Sequence, residues 1–429
     1  MKKLFLYFLS IAALFSSCRK DDSHLFNKSP DERLNEALAT YQTRLTAATD
    51  GWKGFVYPKS GGVYSFYFKF NDSNRVVMLS SFDSVSAATP KESSYRLKAL
   101  QQPSLLFDTY SYLHVLADPN PNVNGGAVGA GLQSDFEFYF DSSSADTINL
   151  VGRFNGSKAT LVKATSEEAA GFMNGQLAQG FLLNKLLTYY KRLTTSSGTI
   201  DLHIDPSARS ISIPDATGNL LDTLLTTKYY MTFGGIAFTK PIVAGNQNIT
   251  GISNISYNPS NQTISCTVNN AAATISNVIV PSKVDVNAPR RWWNSAATNN
   301  NSYWISINGF HVNGVDDAYN LSSIPGYYFL YYKPKAGTSN GVNYDALAPV
   351  VNNSLPYGAV YLPPTFTANG RIIYNLYGTF GTIPSSQTTV FNNIKSKFSD
   401  PSGWYIVQTG EHSYDMVSAF DEKSWISWQ

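Results

Sequence analysis

Alternation of apolar and polar positions predicts β-strands along most of the chain. In Tyr64–Phe70, aromatic residues recur at every second position and would share one face of a strand. Turn-forming residues follow at 71–74, and residues 75–82 would return as the antiparallel partner. Further short strands are predicted at 52–57, 95–100, 104–107, 112–116, 136–140, 148–151 and 159–162.

Helical spacing predicts two helices, each ahead of a group of strands. At the first, Ser29 occupies the cap, Pro30 the first helical position and acidic residues the first turn, and leucines recur at helical spacing through Leu45. The second helix is predicted over residues 166–192, from a Ser-Glu-Glu start and a leucine stripe that ends near Tyr190. Strands then resume at 199–204, 210–213, 229–233, 236–238, 252–257 and 263–268.

This order of one helix followed by short antiparallel strands occurs twice, and it suggests an internal duplication. Residues 105–109 and 235–239 would be equivalent positions of the two halves. The residue pattern changes after residue 287, where a Trp pair and an Asn-rich stretch precede more predicted strands. A helix near 388–398 and three closing strands are predicted there, the strands at 404–407, 416–419 and 425–428.

The predicted fold class is α+β with predominantly antiparallel β structure. It comprises two helix-led meander or barrel-like halves and a β-rich C-terminal region. The predicted segments are a signal peptide at 1–17, a tether at 18–29, a first helix and β domain at 30–165, a second at 166–286, and a C-terminal β-rich domain at 287–429.

The N-terminal segment has the pattern of a bacterial export signal. Lys2 and Lys3 precede an apolar run that is too short to span a bilayer as a mature helix, and two serines lead into Cys18. The segment resembles the lipobox of bacterial lipoproteins, with Phe15 where Leu is usual. This resemblance implies that Cys18 carries acyl chains and anchors the mature protein in a membrane. An ordinary cleaved signal with an incidental Cys is the alternative.

The residues after Cys18 bear on where the anchored protein faces. Lys20-Asp21-Asp22 resembles the surface-export signal of Bacteroidota lipoproteins, which predicts an outer-membrane protein facing the cell exterior. A charged, solvated tether with no export role is the alternative.

Composition excludes some classes of protein. Removal of Lys2 and Lys3 from the 32 Lys and Arg leaves 30 against 30 Asp and Glu, so binding of nucleic acid through bulk electrostatics is not expected. Charged residues reach only 14% against 43% hydrophobic, which argues against disorder. With Cys18 acylated, Cys266 has no disulfide partner and is predicted to be a core residue.

Several segments together resemble an uncharacterised Bacteroidota lipoprotein family, called domain of unknown function 4302. They are residues 25–34, 61–64 and 106–110, His114, Asp118-Pro119 and residues 134–138. The resemblance spans roughly residues 18–280 and brings no established activity. Members tend to be encoded beside a TonB-dependent transporter and its partner surface lipoprotein, which implies an accessory role in nutrient capture and these two proteins as partners.

Catalytic motifs are absent from the sequence, so no cofactor or metal is predicted and an enzyme is the less favoured class. Asp135 and Glu137 lie two apart on a predicted strand and would project from one face, with phenylalanines on the other. Such a pair could bind Ca²⁺ or act as an acid and base, or could simply face water. Asp108 is a further candidate, or a hydrogen-bonded polar residue of a turn.

Aromatic residues offer a second kind of candidate site. Trp292, Trp293 and Trp304 flank the Asn-rich stretch and could stack on a sugar, or could be core residues. The favoured hypothesis is a non-enzymatic surface lipoprotein that serves an outer-membrane nutrient uptake system. A hydrolase that uses Asp135 and Glu137 and a structural or adhesive envelope protein are the alternatives, and the ligand is not identified.

Overall fold

The computed structural model describes residues 28–297 and 302–429, so Cys18, the predicted signal peptide and most of the tether lie outside the described residues. The first described helix, Pro30–Thr46, begins where predicted. The Glu32 N–H donates to the Ser29 hydroxyl at 3.2 Å, and the Ser29 N–H donates to the Glu32 carboxylate at 2.8 Å. This reciprocal capping box satisfies two amides that the first helical turn would leave unpaired.

Eight antiparallel strands after this helix form a closed barrel. They are β1 (Trp52–Tyr57), β2 (Tyr64–Phe70), β3 (Arg75–Ser80), β4 (Lys91–Ala99), β5 (Pro103–Phe107), β6 (Glu137–Ser143), β7 (Thr147–Gly152) and β8 (Lys158–Lys163). The barrel closes because β1 pairs with both β2 and β8. Short helices Ser84–Ala88, Tyr112–Ala117 and Pro121–Asn124 lie in its connections.

The predicted strand at 112–116 is wrong, since these residues belong to the helix Tyr112–Ala117. The Ser111 N–H donates to His114 Nδ1 at 3.1 Å, which caps the first turn. Leu113 and Leu116 are both buried, and a spacing of three residues puts them on one side of a helix. Five residues are too few for a period of two to be told from helical spacing.

The second strand has both faces covered. Phe66, Phe68 and Phe70 lie in the barrel core, as their alternation predicts. On the other face, Ser65 and Tyr67 are also buried: the Ser65 hydroxyl donates to the Met231 carbonyl, and the Tyr67 ring stacks on Phe172 at 5.2 Å. The outer face of this strand therefore packs against the second half of the chain.

A second closed barrel of eight antiparallel strands follows. Its strands are β9 (Tyr190–Thr195), β10 (Gly198–Asp205), β11 (Ser210–Ser212), β12 (Thr226–Thr232), β13 (Gly235–Ala244), β14 (Gln247–Asn258), β15 (Thr263–Val268) and β16 (Ala271–Asn277). The 3₁₀ turn Thr223–Leu225 lies between β11 and β12. The segments 105–109 and 235–239, proposed as equivalents, include parts of the fifth strand of each barrel.

The single helix predicted over 166–192 is wrong in extent. The helix Ser166–Met173 is followed by the 3₁₀ helix Gln176–Lys185, and the chain becomes strand at Tyr190. Gly175, at φ +77°, adopts a left-handed backbone that ends the first helix. Leu183 still packs into the second barrel core, so the leucine stripe marked buried positions without revealing the break.

The C-terminal region contains two antiparallel sheets in the described residues. Their strands are β17 (Trp304–Ser306), β18 (Phe310–Val312), β19 (Tyr327–Ser339), β20 (Val342–Val351), β21 (Tyr357–Tyr361), β22 (Thr365–Phe366), β23 (Arg371–Ile373), β24 (Leu376–Gly381), β25 (Trp404–Gly410), β26 (Ser413–Ser418) and β27 (Ser424–Trp428). The first sheet has the order β17-β19-β20-β21-β24 and the second β18-β27-β26-β25-β23-β22.

Helices complete this region, and the fold class is as predicted, with mostly antiparallel β structure. The helix Thr388–Phe398 has the predicted bounds, and Ala288–Ala297 is a helix that carries the Trp pair. The 3₁₀ turn Leu321–Ser323 lies between β18 and β19, and the 3₁₀ turn Ser385–Gln387 leads directly into the helix Thr388–Phe398.

The second barrel packs directly on the C-terminal region. The buried Tyr189 hydroxyl donates to Asp415 Oδ2 at 2.6 Å, and the Tyr189 N–H donates to the Glu422 carbonyl at 2.6 Å. Tyr190 and Val278 pack with Val407 in the same contact. Within residues 28–297 and 302–429, no helix has the length and apolar character needed to cross a membrane.

Candidate functional site

Three stacked rings on the first barrel form what we call the aromatic patch: Tyr110, His114 and Phe136. The ring centroids of Tyr110 and His114 lie 5.6 Å apart, and those of His114 and Phe136 lie 4.3 Å apart. Tyr110 is 49% exposed and Phe136 is 36% exposed, so the two outer rings reach solvent. Large aromatic side chains that remain this exposed are candidates for contact with another molecule.

Local structure positions the patch. His114 lies in the first turn of the helix Tyr112–Ala117, and Phe136 directly precedes β6. The Phe107 N–H, at the end of β5, donates to the Phe136 carbonyl at 3.0 Å. This bond holds Phe136 against the end of β5, while Tyr110 lies in the short connection between β5 and the helix that carries His114.

His114 is a rigid central ring rather than a free base. Burial lowers its pKa, a hydrogen bond to the Phe107 backbone opposes this shift, and the nearby Lys91 adds to it. Nδ1 already accepts the Ser111 N–H at 3.1 Å. The imidazole is therefore neutral at pH 7, and its polar atoms are engaged in bonds that fix the ring plane.

Tyr110 is oriented by a neighbouring carboxylate. Its hydroxyl donates to Asp118 Oδ2 at 2.6 Å, and burial together with this bond raises the pKa of Tyr110 to about 12. The same bond lowers the pKa of Asp118. The Lys91 ammonium lies 5.3 Å from the Tyr110 ring centroid, within the range of a cation–π contact.

Two of the predicted carboxylates, Asp108 and Glu137, lie near the Arg96 guanidinium. Asp108 forms a two-pronged ion pair with Arg96, in which Nε and Nη2 each donate to one carboxylate oxygen. This pair raises the pKa of Arg96, and the charge of Glu137 contributes in the same direction. Asp108 is thus an ion-paired surface residue beside the patch, as the alternative of a bonded polar residue allowed.

Asp135 does not pair with Glu137, which corrects the expectation of two carboxylates on one strand face. Strand β6 begins at Glu137, so Asp135 precedes it and the alternation does not extend to it. Asp135 is only 3% exposed. Its Oδ1 accepts the Phe154 and Asn155 N–H groups at 2.8 Å each, and its Oδ2 accepts the Ser157 N–H at 3.0 Å and hydroxyl at 2.7 Å. The carboxylate anchors the loop between β7 and β8.

The three tryptophans predicted as sugar-stacking residues lie in the C-terminal core. Trp292 is 0% exposed, and its ring stacks on Trp304 at 5.7 Å and on Tyr332 at 5.2 Å. The Trp304 indole donates to the Trp292 carbonyl at 3.2 Å, and the Trp293 indole donates to Asp345 Oδ2 at 2.8 Å. With their rings covered by protein, these side chains stabilise the core, and the sugar-stacking expectation is corrected for them.

Sequence reasoning missed the patch as a unit. It placed Phe136 on the same strand face as Phe138, whereas Phe138 is buried in the barrel and Phe136 is at the surface. The available signal was Ser111 three residues before His114, a spacing that suits a helix cap. In the described ranges, no three His, Cys, Asp or Glu side chains are grouped as a metal site would require.

The architecture defines a class: two successive eight-stranded antiparallel barrels, each preceded by a helix, with a β-rich C-terminal region. Residues 22–256 match the family model described as Domain of unknown function (DUF4302). This match covers more than half of the 429 residues, and the chain belongs to that family. The aromatic patch lies inside the matched part. Comparison with curated proteins gave no match.

Proposed function

We propose that the protein is a non-enzymatic lipoprotein of a Bacteroidota outer membrane, anchored through acylated Cys18 and facing the cell exterior. It serves as an accessory or binding component of a nutrient uptake system. The lipobox-like sequence before Cys18 and the Lys-Asp-Asp sequence after it support the location. Membership of the DUF4302 family is consistent with the proposal but adds no activity.

The observation that carries the proposal is the exposure of the rings of the aromatic patch together with the hydrogen bonding of the carboxylates beside them. The two outer rings are exposed, while two neighbouring carboxylates are already bonded: Asp108 with Arg96, and Asp118 with the Tyr110 hydroxyl. A general acid or base needs a group that is free to exchange a proton with a substrate. Exposed aromatics beside an arginine instead have the composition of a protein-binding surface.

The proposed partner at the patch is a TonB-dependent transporter or its partner surface lipoprotein. The hydrolase alternative gains no support from the predicted acids, because both oxygens of Asp135 are used by four hydrogen bonds. An adhesive envelope protein would also expose aromatic rings, so the test must separate adhesion from assembly with a transporter.

The test is purification of the tagged, full-length lipoprotein from its native outer membrane, with co-purified proteins identified by mass spectrometry. The double variant Tyr110→Ala, Phe136→Ala is compared with Tyr328→Ala, which removes an aromatic ring of similar exposure (53%) from the C-terminal region. We expect the wild type and the control to retain the transporter and its lipoprotein, and the double variant to lose both.

Purification of the wild-type protein alone would overturn the uptake proposal and favour adhesion. Location is tested separately by protease shaving of intact cells and by mass spectrometry of the N-terminal peptide. Protein that resists shaving, or a Cys18 without acyl chains, would contradict the surface lipoprotein.

A further inference from the structure

The outer face of the six-stranded C-terminal sheet carries a cleft of about 330 Å³. Side chains alternate along a strand, so Ser413 and Asp415 point away from the core that contains Tyr414 and Met416. Part of this outer face is covered by the second barrel, through Val407 and its neighbours. The cleft is the part that the barrel leaves open.

The floor of the cleft is held in place by the strand ladder and a hydrogen bond. Asp415 lies opposite Ser427 in the ladder of β26 and β27. Asp415 Oδ2 accepts the Tyr189 hydroxyl of the second barrel at 2.6 Å. Because this bond already orients the carboxylate, a ligand would not have to order it on binding.

One side of the cleft is a stacked pair of rings. His311 lies over Trp425 with their centroids 3.7 Å apart and their planes 15° apart. Nδ1 of His311 contacts Asp316 Oδ1 at 2.6 Å, and Nε2 accepts the Gly314 N–H at 3.1 Å. With both nitrogens bonded, His311 has no free nitrogen to activate a serine, so the pair forms a rigid aromatic wall.

The remaining lining is rich in uncharged hydrogen-bonding groups. It includes the hydroxyls of Thr409, Ser413 and Ser427 and the amides of Asn308 and Gln429. None of the described residues that line the cleft is a lysine or arginine. The two carboxylates, Asp316 and Asp415, each accept a hydrogen bond, from His311 Nδ1 and from the Tyr189 hydroxyl respectively.

We propose that this cleft binds a neutral sugar of one or two rings. Hydroxyl, amide and carboxylate groups complement the hydroxyls of a sugar, and the rings of His311 and Trp425 that line the cleft offer apolar contact to its C–H groups. An anionic ligand is disfavoured, because two carboxylates and no lysine or arginine face the cleft. A volume of about 330 Å³ is at the small end of the range for ligand pockets, which fits one or two rings.

This inference does not depend on the proposed transporter partner. The cleft lies in residues 306–429, outside the family-matched segment and away from the residues of the aromatic patch. Sugar binding by the purified protein would stand if no transporter co-purified, and co-purification would stand if no sugar bound.

The test is titration of the purified full-length protein in detergent, followed by tryptophan fluorescence and by calorimetry. The probes are glucose, galactose, mannose, maltose and lactose, with glucose 6-phosphate and glucosamine as charged comparisons. We expect saturable binding of at least one neutral sugar and a change in fluorescence, since Trp425 lines the cleft. Binding of glucose 6-phosphate should be weaker.

Variants then locate the binding. Asp415→Asn removes a charged acceptor from the cleft floor, and Ser427→Trp fills the cleft from an exposed position. Each should weaken binding roughly tenfold or more. Asp146→Asn, an exposed Asp of the first barrel, is the matched control and should bind as the wild type does. Should Asp415→Asn fail to fold, Ser427→Trp alone tests the site.

Three results would overturn the proposal. One is the absence of saturable binding for every neutral sugar at millimolar concentrations. The second is tighter binding of the phosphorylated or amino sugar than of any neutral one. The third is neutral-sugar binding that Ser427→Trp leaves unchanged, which would place the sugar elsewhere on the protein.

Discussion

The loop anchored by Asp135 gives the sharpest test of how this carboxylate is used. Asp135→Ala would remove four hydrogen bonds at once, which connect the start of β6 with residues 154–157. If Asp135 is a structural anchor, its loss should lower the free energy of unfolding of the first barrel. If it were one of a catalytic pair, stability would change little.

The size of this destabilisation depends on which of the four donors to Asp135 can bond to water once the carboxylate is removed. Ser157 is buried, so its N–H and hydroxyl would be left without an acceptor, which together costs about 1–3 kcal/mol. Phe154 is exposed and Asn155 is half-buried, so water can replace the acceptor for their N–H groups, at a cost of roughly 0.5–1 kcal/mol each. We therefore expect Asp135→Ala to destabilise the barrel by about 2–5 kcal/mol.

The assay is urea unfolding together with hydrogen exchange of the peptide that covers residues 152–158. Exchange reports this loop even where the whole chain does not unfold in a single step. Glu137→Gln is the matched control, because it neutralises the other predicted acid and should change stability by less than about 0.5 kcal/mol. Unchanged exchange and an unchanged urea midpoint in Asp135→Ala would refute the anchor role.

Three further predictions concern the first helix, the C-terminal core and pH. Ser29→Ala should cost about 1 kcal/mol of helix stability, seen as faster exchange at the start of Pro30–Thr46; unchanged exchange would show that the capping box is dispensable. Trp292→Ala should destabilise the C-terminal region by about 3–5 kcal/mol, because it leaves a cavity between Trp304 and Tyr332; a melting temperature equal to that of the wild type would contradict its place in the core. Burial lowers the pKa of His203 from 6.5 to about 4, so the unfolded chain binds the extra proton first and stability should fall as the pH drops from 6.5 towards 4. His203→Gln should flatten that slope in melting curves, and a slope identical to that of the wild type would assign the acid sensitivity to other groups.

Local sequence patterns correctly predicted the helices and strands that are determined by residues close together in the chain. The capped start of Pro30–Thr46, the strand Tyr64–Phe70 and the helix Thr388–Phe398 were predicted because capping chemistry and side-chain periodicity act within a few residues. The same patterns failed at Tyr112–Ala117 and at the break near Gly175, where a short segment or one left-handed glycine decides the outcome.

The candidate sites depended on contacts between distant segments. Alternation suggested that Asp135 and Glu137 share a face, but the start of β6 falls between them, and a loop some twenty residues later encloses Asp135. Trp292 and Phe136 are both aromatic residues beside polar ones, but Trp292 is buried in the core and Phe136 is exposed. No local pattern distinguishes these cases.

The sequence alone therefore determined the helix-led strand groups, the predominance of antiparallel β structure and the prediction of an acylated Cys18. Tertiary structure decided how the strands close into two barrels, which carboxylates are paired, and which aromatic rings face solvent. The physical reason is that periodicity and capping are properties of neighbouring residues, whereas burial and hydrogen-bond satisfaction depend on whichever distant segments pack against them.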